Sequence, residues 1–525
     1  MQAGSKIPET WVLSQLGDTC QLINGDRGKN YPSKDKLTDS GFPFVNAGHI
    51  ENGLISSDGM KFLSNERFDL LNSGKFVIGD ILFCIRGSLG KVAINRNIES
   101  GAIASSLIIV RSYPYLLNYL VFHYLSSPLA RKMIRKFDNG TAQPNLAGAD
   151  LARFEFPLPP ASEQSRIVAK IEALFSKLDN GVEALKTARK QLKVYRQTVL
   201  KHAFEGKLTA RWRRENMDKL EPPERLLASI RKERQISYQQ RLKDWQAEFE
   251  AWEKNGRTNK MTRMPKEPAA IQVVPEDEVA DLPALPSNWT YMRFGDFIDS
   301  IDAGKSFKCD ERRPAISEIG VAKVSALTWG EYNEEESKTC IDPEKVNGKY
   351  FINCGDFLLS RANTIELVGA CVIAKRVTQK IMLSDKTLRL GFSCGIPQYF
   401  LHFLRSHLGR NEIMKRSTGN QESMRNIGQD RIRSIILPVC GDDEALELVS
   451  QVEAKLANID AITSDIDGEL KRSETLRQSI LKKAFSGQLV PQDPSDEPAD
   501  ALLERILAVK AEQHEASNNK SKRSS

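Results

Sequence analysis

Two stretches of the chain place apolar residues mostly at steps of three and four, with one step of seven in the first and one of ten in the second. The first runs through Ile167, Ile171, Leu174, Leu178, Val182, Leu185, Leu192, Tyr195 and Val199. The second runs through Leu448, Val452, Leu456, Ile459, Ile462, Ile466, Leu470 and Ile480. Charged residues fill the intervals, which predicts a coiled-coil seam rather than a globular helix face. Each helix should run about 40 residues, roughly 60 Å at 1.5 Å per residue. Gly181 and Gly468 weaken these helices by about 1 kcal/mol each against Ala, so tertiary packing must hold them. Gly206 and Gly487 fall where helix C-caps belong. Ile171, Leu174, Leu178, Leu185 and Leu192 are assigned to the seam of the first helix, and Val452, Ile459, Ile466 and Ile480 to that of the second. Ala203-Phe204 and Ala484-Phe485, at the helix ends, fit either closure of the helix pair or a partner groove. Phe204 and Phe485 are assigned, with the seam residues, to a coiled-coil or partner interface, with partner docking preferred because both copies sit near the same apolar LKxAFxGxL element.

The two helices are copies. QTVLKHAFEGKLT at Gln197–Thr209 returns as QSILKKAFSGQLV at Gln478–Val490, with seven of thirteen positions identical. The register holds without a gap back to Pro157 and Pro438, matching Glu163 with Glu444 and Asp179 with Asp460. More loosely, Pro8-Glu-Thr-Trp11 and Leu16-Gly17-Asp18 are echoed by Pro286-Ser-Asn-Trp289 and Phe294-Gly295-Asp296. Gly79-Asp80-Ile81-Leu82 is echoed by Gly355-Asp356-Phe357-Leu358, and Glu221-Pro-Pro-Glu224 by Glu497-Pro-Ala-Asp500. Such self-similarity reads as a tandem duplication.

The segments before the helices, each about 150 residues, have an ordinary domain size. Short apolar runs such as Phe76–Ile85, Ala102–Val110 and Val368–Ala374 are separated by Gly, Asn and Asp, which predicts a mixed sheet with many turns. Helical spacing follows at Tyr115–Phe137 and Gln398–Arg416. The expected order is a globular domain at 1–157, helix at 158–210, a charged helical insertion and Pro-rich linker at 211–284, a second domain at 285–438, helix at 439–490, and a C-terminal helix with a disordered basic tail at 491–525. The fold class is α+β: two mixed α/β domains separated by two long antiparallel helices, with a pseudo-two-fold repeat.

Composition narrows the chemistry. At 40% hydrophobic and 27% charged, the 525 residues have ample material for packed cores. The balance of 75 Lys+Arg against 68 Asp+Glu gives only +7, which fits basic faces but does not by itself demand a polyanion. No apolar run reaches the roughly 18 residues of a membrane helix, and Met1–Thr10 lacks a signal-peptide layout, so a cytoplasmic protein without membrane contact is expected. The eight cysteines are scattered, with no CxxC pair, and are read as buried reduced thiols. Six histidines without HExxH give no metal site. There is no [DNS]PP[YF] methyltransferase motif, no methyl-donor glycine loop, no Walker A and no PD…ExK nuclease cluster. No catalytic residue is therefore assigned. GSLGK at Gly87–Lys91 is not a P-loop, since it lacks GxxxxGK[ST].

Taken together, IPETW with LGD, GDILFCIRGSLGKVAI at Gly79–Ile94, NGTAQPNL at Asn139–Leu146 and FPLPPASEQSRIVAKIEAL at Phe156–Leu174 resemble the specificity subunit of type I restriction–modification systems. The second half repeats the series as LPSNW with FGD, GDFLLSRAN and ILPVCGDDE, so the resemblance covers nearly the whole chain. It implies two target-recognition domains, each reading one half of a bipartite, asymmetric site in double-stranded DNA. The paired helices would set the spacer and dock two modification (methyltransferase) subunits, with two restriction (motor-nuclease) subunits added for cleavage. S-adenosylmethionine, ATP and Mg²⁺ would then belong to those partners, and this chain would bind no cofactor and carry no catalysis. Two similar readers about a pseudo-dyad would face inverted half-sites, and a rod of roughly 60 Å spans successive major grooves about 34 Å apart.

Basic and amide side chains in Gly-rich loops are the natural candidates for DNA contact. In the first domain these are Arg27, Lys29 and Asn30, then Arg86 and Lys91, then Gln143 and Asn145. In the second they are Lys305, Lys308, Arg361, Asn363 and Lys386. Loop charges can also be merely solvated, and Gln143 and Asn145 fit a turn cap equally well. Two other readings stand beside the DNA-reading subunit: a self-contained DNA enzyme, and a coiled-coil scaffold that binds no nucleic acid.

Overall fold

Because the apolar runs are short and the two helical seams long, sheets form early in each half and helices close them. The computed structural model describes residues 7–138, 144–256, 261, 263–421 and 424–523. In chain order, the elements that matter here begin with strands β1 (Cys20–Asn24), β2 (Ile81–Cys84), β3 (Val92–Ile94) and β4 (Leu107–Ser112). Helices α1 (Asn118–Leu125), α2 (Ala161–Phe204) and α3 (Pro223–Lys254) follow. Then come β5 (Ile298–Ala303), β6 (Phe357–Ser360), β7 (Ala362–Asn363), β8 (Cys371–Ile373) and β9 (Thr387–Phe392). Last are α4 (Pro397–Arg405), β10 (Thr418–Gln421), β11 (Met424–Asn426), α5 (Asp442–Ala484) and α6 (Ala499–Arg523).

The chain divides into two compact units, one of Met1–Thr187 with Ile466–Ser525, the other of Ala188–Asp465. In the first, an antiparallel sheet runs in the order β1-β4-β2-β3. Both faces of its central strands are covered. Ile81, Phe83, Ile108 and Val110 pack with Leu120 and Tyr124 of α1, while Leu82, Cys84, Leu107 and Ile109 pack with Val45 and Phe76. Burial on both faces explains why these strands read as unbroken apolar runs rather than alternating ones. A second, mixed sheet contains Phe42–Val45 and Ser100–Ile103, which pair in parallel.

The second unit has an antiparallel sheet in the order β5-β9-β6-β8. Phe357, Leu359, Leu388 and Leu390 share a core with Phe400 and Phe403 of α4. Leu358 and Val372 turn the other way, onto Ala322 and Ile381.

The helix termini carry the charges their dipoles favour. Asp442, Asp443 and Glu444 open α5, and Lys482 and Lys483 close it. Both long helices end in the same motif: Lys207 N–H donates to His202 O (2.8 Å) and Gln488 N–H to Lys483 O (2.9 Å) around Gly206 and Gly487, each at φ +69°. A Cβ at Gly206 would stand 2.5 Å from Pro286 Cγ, and one at Gly487 2.2 Å from Pro8 Cγ. Only glycine meets both demands.

Within the first unit, Ile167 and Ile171 of α2 share a core with Ile480, Leu481, Ala484 and Phe485 of α5. Arg477 lies 4.3 Å over the Phe175 ring and pairs with Asp179. Within the second unit, Leu200, Ala203 and Phe204 of α2 pack with Leu448, Val449 and Val452 of α5, and Arg196 pairs with Asp460. The matched aspartates thus take matched arginines. Val452, Ile459, Ile466 and Ile480 are buried as expected, whereas Leu174, Leu178, Leu185 and Leu192 are half-buried. Tyr195 and Ile462, expected in the seam, are each 48% exposed and lie off it.

Of the two readings open for Phe204 and Phe485, the burial fits closure of the helix pair rather than the preferred partner groove. Phe204 stands edge-on to Tyr399 and Phe403, and Phe485 edge-on to Tyr124; both are buried within their own units. An aromatic ring next to a helix C-cap gains more by filling the adjacent core than by waiting in water. Near the helix starts, two buried carboxylates tie each unit together. Glu163 accepts from the Trp11 indole (2.8 Å) and from Gln492 (2.6 Å). Glu444 accepts from Thr209 (2.6 Å), Asn288 (2.8 Å) and Arg213. Burial raises the Glu163 carboxyl, against the indole and amide bonds that lower it.

Two further helices close the units. Leu226 and Ile230 of α3 lie in the second core, and Leu502 and Ile506 of α6 in the first. Lys510 of α6 donates to Gly17 O (2.8 Å) and pairs with Asp18 (3.0 Å). Arg234 of α3 lies 3.7 Å from Asp296. The tail from Asn518, expected to be disordered, continues α6 to Arg523, since no Gly or Pro breaks it. The thiols are all reduced, but only five are buried: Cys309 and Cys340 are half-buried and Cys354 is exposed, so the expectation of burial fails for these three.

Candidate nucleic-acid interface

Strand register decides where the candidate residues fall. In the first unit, Asn24 opposes Ile108, Cys84 opposes Leu107 and Phe83 opposes Val92, so one end of the sheet gathers the end of β1, the β2–β3 hairpin and the start of β4. Arg27, Lys29 and Asn30 follow β1, while Arg86 and Lys91 sit in the hairpin. Asp26 shapes the first loop by accepting from Gly28 N–H and Asn72 N–H (both 2.8 Å). Those backbone donors hold its carboxyl below the ordinary range.

Arg27, exposed, reaches Ser105 O (3.5 Å), and Ile85 N–H donates to Ser106 O (2.9 Å), which brings the two loops together. Arg86 Nε donates to Asn145 Oδ1 (3.0 Å), and the two residues form an isolated backbone bridge. Asn145 therefore joins Arg86 rather than capping the short helix that follows, whose N-cap is Ala147. Asn30 is half-buried and donates to Leu70 O (2.8 Å), which ties it to the loop's frame; Lys29 and Lys91 are exposed. Gln143 lies outside the described residues.

The second unit repeats the placement. Ala303 opposes Leu388, Ser360 opposes Thr387, and Leu359 opposes Cys371. Lys305 and Lys308 follow β5, Arg361 and Asn363 follow β6, and Lys386 precedes β9. All five share one end of the sheet. Gly304 N–H donates to Ser384 O (3.2 Å), Arg361 N–H to Lys386 O (2.9 Å) and Ile427 N–H to Arg361 O (2.8 Å). A Cβ at Gly304 would stand 1.8 Å from Leu383 O, so only glycine lets this loop pass. Lys305 and Lys308 are exposed, and Arg361, Asn363 and Lys386 are half-buried. Asn363 Nδ2 donates to Ser360 Oγ (3.3 Å).

The repeated Gly-Asp motif has a different use. Asp80, buried, accepts from Val77 N–H (2.8 Å) and takes Arg111 through two bonds of 2.7 and 2.6 Å. Asp356 accepts from Asn353 N–H (2.8 Å) and lies 3.3 Å from Arg389, which also pairs with Asp302 (3.0 Å). Asp80 and Asp356 sit at the start of β2 and β6, the opposite end from the candidate loops, while Asp302 lies directly across from Arg389 within the sheet. One residue beside the second unit's candidates carried no mark in the sequence. Arg425 of β11 lies directly opposite Asn363 of β7, a pairing made by a ladder between segments about 60 residues apart, which local patterning does not reveal.

Among the described residues no cluster of three or more His, Cys, Asp or Glu side chains forms a metal site, and no helix is long and apolar enough to cross a membrane. The arrangement can present cations and amides to an extended polyanion from loops held by a rigid sheet, which is how phosphate contact and base-edge readout are usually mounted.

Residues 8–191 match the family described as the type I restriction modification DNA specificity domain. Along nearly its whole length the chain is similar to the specificity subunit of the type I restriction enzyme EcoKI of Escherichia coli (strain K12), at 24% identity over 97% of each chain. It is likewise similar to the specificity subunit of the type I restriction enzyme StySPI of Salmonella potsdam, at 24% identity over 96% of each. Among solved structures, a chain from work on complex assembly and conformational transition of the type I R-M system shares the fold, with a TM-score of 0.60, 18% identity, and coverage of 92% of this chain and 99% of that one.

Proposed function

We propose that this chain, a relative of type I restriction enzyme specificity subunits from end to end, is the sequence-reading subunit of such a system. The observation that carries the reading is the common placement of the candidate cations and amides. In each unit they fall on loops at one end of an antiparallel sheet, the end away from the Asp80–Arg111 and Asp356–Arg389 pairs. Residues 1–157 and 285–438 are the two recognition domains, and each reads one half of a bipartite, asymmetric site. Because their loops differ in sequence, the half-sites differ.

The long helices act as a coiled-coil ruler in a pseudo-two-fold repeat. The matched Arg477–Asp179 and Arg196–Asp460 pairs support that reading, as do the matched glycine caps. Two modification subunits and two restriction subunits supply the chemistry in the cytoplasm, using S-adenosylmethionine, ATP and Mg²⁺. This chain supplies address rather than catalysis. A scaffold that binds no nucleic acid is disfavoured by the match to a DNA specificity domain.

The test is genome-wide mapping of N6-methyladenine in a methylation-free host. One strain expresses this chain with its modification subunit, and a control expresses the modification subunit alone. A bipartite methylated motif that needs this chain is the expected result; no motif from a well-assembled complex refutes the proposal. Removing one heptad from each of α2 and α5 shortens each helix by about 10 Å, close to three base-pair rises. The spacer should change while both half-sites persist, and an unchanged spacer refutes the ruler.

A further inference from the structure

The second recognition domain spends most of its arginines on itself. Arg389 pairs with Asp302 and Asp356, and Arg416 with Glu412. Arg405, Arg410 and Arg433 donate to backbone carbonyls of Cys371, Val368 and Ile298. Arg425 does none of this. It is half-buried, its Nε is shielded from water, and no hydrogen bond or ion pair is made to its side chain among the described residues. Leaving a buried guanidinium donor unmet costs stability, and an Asp, Glu or carbonyl within reach would ordinarily be used.

Its position gives the unmet donor a purpose. β11 pairs with β7 in the register Asn363–Arg425 and Ala362–Asn426, so the side chains of Asn363 and Arg425 emerge on the same face, directly across the ladder. Ile427 N–H bonds Arg361 O, and Arg361 N–H bonds Lys386 O, which joins this ribbon to the loops carrying the second unit's candidates. The ribbon is held on its other side by β10, where Thr418 Oγ1 donates to Asn426 O (3.2 Å).

We propose that Arg425 is a specificity-determining residue that reads a guanine of the second half-site. Its guanidinium fork would donate to O6 and N7, with Asn363 beside it as the neighbouring amide reader. Two-pronged donation is the chemistry arginine offers a guanine edge, and a half-sequestered, preordered stem loses less freedom on binding than an exposed lysine. This inference rests on the reading of the chain as a DNA-specificity subunit, and it concerns the second domain only.

The experiment uses the full chain in complex with its modification subunit, as wild type, Arg425→Ala and Arg425→Lys. Methylated motifs are mapped in the methylation-free host. In parallel, binding is measured to duplexes carrying the wild-type site and each single base change in the second half-site. Arg425→Ala should relax one G·C position of the second half-site, losing roughly 5- to 150-fold of discrimination there. The first half-site should keep its full stringency. If Arg425→Ala abolishes methylation, Arg425→Lys, which keeps charge and stem, should restore it with the same position relaxed. A wild-type bipartite motif with unaltered stringency in either variant overturns the role of Arg425 while leaving the function intact. Loss of methylation in both variants also overturns it. No motif from wild type refutes the underlying function instead.

Discussion

His123 of α1 and His402 of α4 occupy corresponding places beside a long helix, next to Phe175 of α2 and Glu453 of α5, and both should make the fold sensitive to mild acid. Each ring is buried, at 4% and 5% exposure, and neither nitrogen pair finds a hydrogen-bond partner among the described residues. Burial lowers both to about 4 from the ordinary 6.5. Arg477 and Arg96 add repulsion at His123, and Arg405 and Lys375 at His402. Glu453, 3.8 Å from His402, pulls the other way, but its side chain is 53% exposed and solvent screens it. The folded state therefore binds fewer protons than the unfolded chain between pH 6.5 and 4. Stability is fully present above 6.5 and is lost as pH falls through that window. Between pH 7 and 5 the loss is about 2 kcal/mol for each histidine, hence about 4 kcal/mol for both. Urea denaturation at the two pH values, on wild type, H123L, H402L and the double variant, isolates this from the carboxylates common to all four. The double variant should lose about 4 kcal/mol less than wild type over that interval, and each single variant about half as much less. Equal pH dependence in wild type and double variant would refute the assignment.

Glu444→Ala removes the acceptor for Thr209, Asn288 and Arg213 and leaves the Arg213 charge uncompensated, at 14% side-chain exposure. It should cost about 3–5 kcal/mol of unfolding free energy, read from denaturant titration, with Glu444→Gln costing less. Gly487→Ala meets both a left-handed backbone and Pro8 and should destabilise by at least 1–2 kcal/mol, roughly. The same change at Gly468, where nothing lies within 4 Å of an added Cβ, should stabilise by about 0.5–1 kcal/mol, which thermal melting would check.

The long helices were legible because their signal is local: a period near 3.5, charged intervals and a closing glycine. The match of Glu163 with Glu444 was legible as repetition, though not its cause, because Trp11, Gln492, Asn288 and Arg213 reach those carboxylates across long chain separations. The candidate loops were found from composition alone. Their gathering at one sheet end follows from register, which a strand's own residues do not disclose. Arg425 escaped for the same reason, and the choice at Phe204 and Phe485 stayed open because an apolar repeat looks alike whether it fills a core or meets a partner.

The division of the chain has a consequence for its synthesis. The second unit, Ala188–Asp465, is one continuous stretch, but the first is built from Met1–Thr187 and Ile466–Ser525. Trp11 and Glu163 leave the ribosome early, yet their partner Gln492, and the core residues Phe485, Leu502 and Ile506, are translated last. At about 5–20 residues per second, the intervening 280 or so residues take on the order of tens of seconds. During that time the unit begun first stands open while the unit begun second can finish. A nascent chain arrested once Asp465 has cleared the ribosome, with the residues after it still in the exit tunnel, would hold a completed second unit and a first unit still lacking one wall of its core.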